Sequence, residues 1–181
     1  MSLKETVRGI ETIGDRYPIY KEADISIKEF SPEEVSPTSK YVLWENLRTV
    51  NRIRKEGERQ GIDILQLEEI TEINGETIAP PVVENDGEED CIVDGLHRFT
   101  IAKVKGKKVK AIYINGVPED RPIIGKPVSW DKVIWQRKKP ENPEELRDLR
   151  VEDTPEELRK CYRDLSVLGS NGRRPRKGQK T

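Results

Sequence analysis

The fold is decided by one short stretch of the sequence, Cys91-Ile-Val-Asp-Gly-Leu-His-Arg-Phe99. Its apolar start is typical of a short buried strand that ends at Asp94, and Gly95 permits a sharp turn. Residues 96–104 then have the pattern of a helix. Strand-like segments flank this unit, with Ala79-Pro-Pro-Val-Val-Glu84 before it and Val109-Lys-Ala-Ile-Tyr-Ile-Asn115 after it. The order predicts an α/β (α+β) domain with a small mixed sheet and flanking helices.

The turn from Asp94 to Arg98 has the features of an anion site. The first amide groups of a helix lack intrahelical partners and the helix dipole favours negative charge, so phosphate is the expected guest. Arg98 can add a bidentate contact, and the neighbouring His97 is the only histidine of the chain. Residues 95–118 contain several Lys and Arg and no Asp or Glu. The alternative is a packed connection whose lysines lie on a solvated helix face.

Three pieces of the sequence resemble the ParB/sulfiredoxin-like superfamily: Pro80-Pro-Val-Val83, Ile92-Val-Asp-Gly-Leu-His-Arg98 and Ala102. Members of that superfamily carry a Gly-x-x-Arg turn in this setting, and the resemblance is clear from 79 to 116 and thin upstream. It implies that the turn cradles the phosphates of a nucleotide. The cradle residues would be Gly95, Leu96, His97 and Arg98.

Three branches of the superfamily can be compared with the chain. Sulfiredoxins need a nucleophilic cysteine where this chain has Leu96, so their reaction is not expected, and Cys91 is expected in the core. Chromosome-partitioning members continue into a helix-turn-helix domain, for which the sequence after Trp135 has too little apolar periodicity. Stand-alone members, including kinases of free serine, typically read Asp-Gly-His-His-Arg, and the Asp-Gly-Leu-His-Arg of this chain is most similar to that motif.

The resemblance to stand-alone members implies a nucleotide-binding protein that uses ATP or another nucleotide with Mg²⁺. Asp94 would be the catalytic carboxylate of a phosphotransferase or nucleoside triphosphatase, with a small-molecule hydroxyl as an acceptor. A second carboxylate would come from Glu33, Glu34 or Glu45. For Asp94 the structural alternative is a helix N-cap, a role that aspartate at a strand end fills well.

A different class of function rests on the last eleven residues, 171–181, which have no acidic and no aliphatic side chain. Such a tail is expected to be disordered in isolation, and it either binds DNA phosphates or keeps the protein in solution. Its basic residues are Arg173, Arg174, Arg176, Lys177 and Lys180. The protein would then be a DNA-associated ParB-like protein, binding or cleaving DNA, whose turn binds a nucleotide as a switch or contacts DNA phosphates. A third possibility is a degenerate domain that binds other proteins.

The composition of the chain limits the number of domains and the kinds of ligand and partner to expect. The 181 residues are 33% hydrophobic and 37% charged, which fits one domain at 1–137, a helical extension at 138–170 and the basic tail at 171–181. A net charge of −1 argues against nucleic-acid binding by the molecule as a whole. Two cysteines and one histidine give neither a disulfide framework nor a zinc site, so no metal ligands are expected from them. No apolar run approaches a membrane span, and a cytoplasmic protein without membrane contact is expected.

The remaining elements follow from apolar periodicity and turn residues. A strand is predicted within 16–29, a helix start with proline at its first position at Ser31-Pro32, and an amphipathic helix from Thr38 to Gly57 or Gly61. Asn74-Gly75 predicts a turn, and residues 62–73 fit either helix or strand. Trp44 is expected in the core. Trp130 and Trp135 are expected at its edge or at a pocket rim, Lys126 is a weak candidate phosphate ligand, and a last helix is predicted from Pro155 to Leu168.

Overall fold

The computed structural model describes residues 2–85, 87–117, 127–139 and 162–169. The α-helices in these ranges are α1 (Leu3–Arg8), α2 (Trp44–Arg59) and α3 (Leu96–Lys105). The strands are β1 (Asp24–Phe30), β2 (Ser36–Pro37), β3 (Tyr41–Leu43), β4 (Thr71–Ile73), β5 (Glu76–Ile78), β6 (Val82–Asn85), β7 (Asp90–Asp94), β8 (Val109–Asn115) and β9 (Ile134–Gln136).

A five-stranded mixed sheet in the order β1-β8-β6-β7-β2 forms the centre of the domain. β6 pairs antiparallel with β7 and parallel with β8, and β1 closes one edge antiparallel to β8. Two-residue β2 pairs parallel with β7 at the other edge. Helix α3 connects β7 to β8. The mixed sheet with flanking helices confirms the predicted α+β class.

Helix α3 packs on one face of this sheet through a buried apolar cluster. Phe99 and Ala102 of the helix lie in one core with Val83, Ile92 and Ala111 of the strands, and each of the five is at most 2% exposed. Burial of this apolar surface is the main force that holds α3 in place. Cys91, in the same β7 strand, is also buried, as predicted.

Several predictions from local sequence are confirmed. Asn74 and Gly75 both have positive φ, 49° and 76°, which is the two-residue turn that joins β4 to β5. Pro32 starts a short 3₁₀ turn, and the Glu34 carboxylate accepts the backbone N–H of Ser31 at 2.7 Å. Residues 62–73, which fitted helix or strand, are a strand only at 71–73.

The helix predicted from Thr38 is wrong over its first six residues. Residues 41–43 form β3, which pairs parallel with the distant strand β9, and α2 begins only at Trp44. Its end at Arg59 lies between the two glycines proposed as its stop. Pairing with a strand about ninety residues later overrides the local helical spacing, as tertiary contacts often do.

The tryptophan predictions had mixed outcomes. Trp44 was expected in the core, yet it is 41% exposed and contacts Trp135 edge to face. Trp130 does cover a core edge, where its indole N–H donates to the Pro32 carbonyl at 2.7 Å and the Val35 carbonyl at 3.0 Å. Trp135 itself is 43% exposed.

Residues 162–169 pack against the N-terminal part of the domain. The backbone carbonyl of Tyr162 accepts the backbone N–H of Ile13 at 2.9 Å. The backbone N–H of Asp164 donates to the backbone carbonyl of Glu11 at 2.7 Å. Leu168 is buried in the same cluster as α1, at the end of a 3₁₀ turn. This turn replaces the last part of the helix predicted from Pro155 to Leu168. Residues 155–161 of that predicted helix, Lys126 and the basic tail lie outside the described residues.

None of the helices in the described part of the chain has the length and apolar character that crossing a bilayer requires.

Candidate functional site

The turn between β7 and α3 has a geometry that requires glycine. Gly95 adopts φ 92°, a left-handed conformation, and a Cβ built there would lie 2.6 Å from Cβ of Pro81. The absent side chain therefore lets the turn pack directly on the segment before β6. Gly95 is also the residue that caps α3, so the alternative of Asp94 as the N-cap is wrong.

A cavity of about 280 Å³ opens at this turn. Its wall combines the turn with β3, the first part of α2 and residues 162–169, which we call the C-terminal segment. The wall residues are Thr38, Ser39, Tyr41, Leu43, Asn46, Thr49, Val50, Ile92, Val93, Asp94, Gly95, Leu96, His97, Arg98, Tyr162, Arg163 and Leu165. The structure thus brings all five residues of the Asp-Gly-Leu-His-Arg motif to one concave surface, where ligands usually bind.

Arg98 is buried, with 5% of its surface exposed, and its guanidinium donates a hydrogen bond to the carbonyl of Ala79. Burial lowers the pKa of Arg98 to about 10, and the nearby Asp94 carboxylate acts in the opposite direction. A guanidinium has five N–H donors, so the bond to Ala79 leaves donors for a second acceptor. Arg98 accordingly fastens α3 to the segment before β6 and also forms part of the cavity wall.

His97 connects the start of α3 to the neighbouring strand β3. Its Nε2 accepts the backbone N–H of Leu43 at 3.2 Å. Because an imidazole nitrogen that accepts a hydrogen bond carries no proton, this contact requires Nε2 to be unprotonated. His97 therefore positions β3 at the cavity as well as contributing to its wall.

The three glutamates considered as a second carboxylate are not in the cavity wall. Glu33 is exposed and accepts Lys103 Nζ at 2.7 Å, Glu34 caps a turn, and Glu45 lies on the exposed part of α2. Among the described residues of the wall, Asp94 is the only carboxylate. The described ranges also contain no group of three or more His, Cys, Asp or Glu side chains that could hold a metal ion.

The lysines that follow the motif form surface ion pairs. Lys103 pairs with Glu33 at 2.7 Å, and none of the lysines between 103 and 110 lines the cavity. The other pairs are Lys107 with Asp63, Lys108 with Glu29 and Lys110 with Glu68. This run of positive charge therefore fits the solvated-face alternative better than a phosphate site.

Sequence reasoning missed the residues that complete the cavity from a distance. Asn46 and Thr49 come from α2, and Tyr162 and Arg163 come from a segment that was assigned to an extension. The spacing of polar residues in α2 gave only a weak signal, since one helical face carries both. For the C-terminal segment no local signal existed, because its position depends on contacts with residues 11–13.

Arg163 reaches the cavity wall from a buried polar cluster. Its Nε donates to the hydroxyl of Tyr20 at 3.0 Å, and its terminal nitrogen lies 3.3 Å from the Glu84 carboxylate. The Tyr20 hydroxyl donates to the same carboxylate at 2.7 Å. All three residues are less than 5% exposed. The charges compensate each other, which allows an ion pair to be buried between the sheet and the C-terminal segment.

Comparison with known families identifies the domain that carries this site. The model of the ParB CE domain matches residues 5–134, which include the central sheet, the Asp94–Arg98 turn and α3. The searches of curated proteins and of solved structures gave no match. The C-terminal segment that completes the cavity lies outside the matched range. Since the match spans more than half of the 181 residues and covers the complete strand-turn-helix unit, the chain belongs to the ParB CE domain family.

Proposed function

We propose that this protein binds a nucleotide in the cavity at the Asp94–Arg98 turn, with the phosphates at the start of α3. The observation that supports this most is the position of the whole motif on one concave surface. The amide groups in the first turn of α3 and the helix dipole favour an anion there. The buried guanidinium of Arg98 adds positive charge in the same wall, in a place partly shielded from water.

The available donors fit a nucleotide that carries its own Mg²⁺. This ion is usually held by one or two carboxylates together with substrate phosphates and water, and Asp94 supplies one carboxylate in the wall. The residue that would hold the ion is therefore Asp94. When bound, the ion would neutralise charge on the phosphates.

We further propose phosphoryl transfer or hydrolysis as the reaction. The oxygen of an acceptor hydroxyl or of water would bond to the terminal phosphorus while the bond from that phosphorus to the bridging oxygen breaks. Asp94 would orient the acceptor and take its proton, and Arg98 would stabilise the charge on the transferred group. Leu96, in place of the histidine of similar kinases, makes the wall less polar near the acceptor.

Binding is tested by calorimetric titration of ATP, ADP, CTP and GTP with Mg²⁺. Asn46→Asp adds a negative charge to the cavity wall without changing size, and in the first turn of α2 this charge is favourable to the helix. We expect at least a roughly fivefold loss of affinity, because like charges about 4 Å apart repel by about 1–4 kcal/mol. Asn51→Asp is the matched control, since Asn51 lies on the same helix and is not a wall residue.

Release of inorganic phosphate then separates an enzyme from a nucleotide-binding switch. With turnover by the wild type, Asp94→Asn should lower the rate by about 10²–10⁴, the range of a lost acid–base group. Binding without phosphate release would support the nucleotide site and reject hydrolysis, whereas transfer to a hydroxyl acceptor would form the nucleoside diphosphate without free phosphate. Equal affinities in wild type and Asn46→Asp would reject the site. Contact of DNA with the basic tail stays a prediction, because the tail lies outside the described residues.

A further inference from the structure

Two tryptophans form an exposed pair beside the described cavity. Trp44, which follows β3, and Trp135, in the middle of β9, have ring centroids 4.8 Å apart at an interplanar angle of 75°. They are 41% and 43% exposed, and Ile134 next to them is 45% exposed. Exposed large apolar side chains that lie together generally mark a binding surface. We name the pair Trp44 and Trp135 the tryptophan platform.

The segments that carry this platform are basic. Residues 40–48 and 130–139 together contain six Lys or Arg and two acidic residues, in a chain whose net charge is −1. Arg137, Lys138 and Lys139 begin two residues after Trp135 and are exposed, and Arg48 lies one helical turn after Trp44. The acidic residues are Glu45 and Asp131, and Asp131 accepts a hydrogen bond from Ser129. Aromatic rings and positive charge thus occur in the same two segments, which β3 and β9 bring together.

From this juxtaposition we propose that the tryptophan platform binds single-stranded nucleic acid. Indole rings accept unpaired bases by stacking, while lysine and arginine side chains next to them contact the phosphates. A double helix would present its backbone and base edges here but no base faces for stacking, because neighbouring base pairs cover those faces. Stacking tolerates any base, so the surface would bind without sequence preference.

This surface is separate from the nucleotide cavity. Neither Trp44 nor Trp135 belongs to the cavity wall, although Leu43 beside Trp44 does. The proposal therefore does not depend on nucleotide binding at the Asp94–Arg98 turn, and either one can fail without the other.

Fluorescence anisotropy of a labelled oligothymidine, with the full-length protein at low salt, tests the proposal. Trp44→Ala and Trp135→Ala should each weaken binding by roughly tenfold or more, whereas Trp44→Phe and Trp135→Phe should retain most of it. Tyr17→Ala is the matched control, since Tyr17 is 53% exposed on another segment. A labelled duplex of the same length should bind more weakly than the single strand.

The contribution of charge is measured from the salt dependence. Lys138→Gln and Arg137→Gln should each reduce the slope of log affinity against log salt by about 0.7, the value for one phosphate of a single strand. Absence of binding at low salt would overturn the proposal. So would unchanged binding by the Trp44→Ala, Trp135→Ala double variant, the result expected if the basic tail alone holds the strand. Loss of self-association in that double variant, without an effect on oligothymidine binding, would assign the surface to a protein contact instead.

Discussion

Alanine substitution of the two glycines that flank α3 distinguishes two reasons for a glycine before this helix, which are the left-handed backbone conformation and the close approach to Pro81. Gly95 before the helix and Gly106 after it both have left-handed φ, 92° and 60°. A Cβ at Gly95 would lie 2.6 Å from Cβ and 3.2 Å from Cα of Pro81, whereas nothing lies within 4 Å of a Cβ at Gly106. Gly106→Ala therefore tests backbone conformation alone, and Gly95→Ala tests conformation together with the contact to Pro81.

The expected magnitudes follow from these distances. A left-handed conformation costs a residue with a Cβ about 1–2 kcal/mol, so Gly106→Ala should lower the free energy of unfolding by about that amount. Insertion of a methyl group into a closely packed site costs a further 1–3 kcal/mol or so. Pro81 is a rigid ring and its clashing atoms include Cα, so it cannot relieve the contact by a rotamer change. Gly95→Ala should thus destabilise the protein by about 1–3 kcal/mol more than Gly106→Ala.

Urea unfolding followed by far-UV circular dichroism measures both variants under identical conditions. If m is unchanged between variants, the difference between the two midpoints multiplied by m gives the energy of the contact with Pro81. Equal destabilisation by the two substitutions would refute the close approach of the turn to Pro81. The cavity wall would then lack the support that this account gives it.

Further predictions concern the buried polar cluster. Glu84→Gln or Arg163→Met alone should each lower the free energy of unfolding in urea by about 3–5 kcal/mol, because each leaves a buried charge without its partner. The double variant should lose clearly less than the two single losses added together, and strict additivity would contradict the ion pair. Burial, followed by the Glu84 carboxylate, raises the pKa of Tyr20 above its ordinary value of 10.0. The folded state therefore keeps this proton when the unfolded state loses it, so the stabilisation is complete below about pH 10 and declines by about 1.4 kcal/mol per pH unit above. Tyr20→Phe should be less stable than wild type at neutral pH, since it loses the bond to Glu84, and urea midpoints should show this gap narrowing above about pH 10. A gap that stays constant into alkaline pH would contradict a buried Tyr20 hydroxyl.

The parts of the fold that could be predicted from sequence are those determined by neighbouring residues. Ile92, Val93 and Gly95 were enough to predict the strand, the turn and the helix. The left-handed turn depends on one glycine, and helix α3 depends on the spacing of apolar residues within it. Asn74-Gly75 specified its hairpin for the same reason, as both residues tolerate positive φ. These elements position the motif, so the location of the candidate site followed from sequence as well.

The parts that were missed depend on contacts between distant residues. Val42 pairs with Trp135, so a segment with helical spacing became a strand, and Trp44 was left exposed beside it instead of buried. Arg163 enters the cavity wall because it pairs with Glu84. No pattern in the residues next to either one predicts this ion pair. Pairing over such separations depends on the whole arrangement of the chain, which periodicity in a short window cannot register.

The central claim is that a nucleotide binds at the Asp94–Arg98 turn, and His97 allows it to be tested at a single atom. As the only histidine, it gives a single Cε1–Hε1 imidazole signal in a carbon-edited NMR spectrum. Because His97 lies in the cavity wall, titration with ATP and Mg²⁺ should shift this signal until it saturates, and Mn²⁺ in place of Mg²⁺ should broaden it. An imidazole signal that stays unchanged while calorimetry of the same sample shows binding would contradict the claim and locate the nucleotide elsewhere.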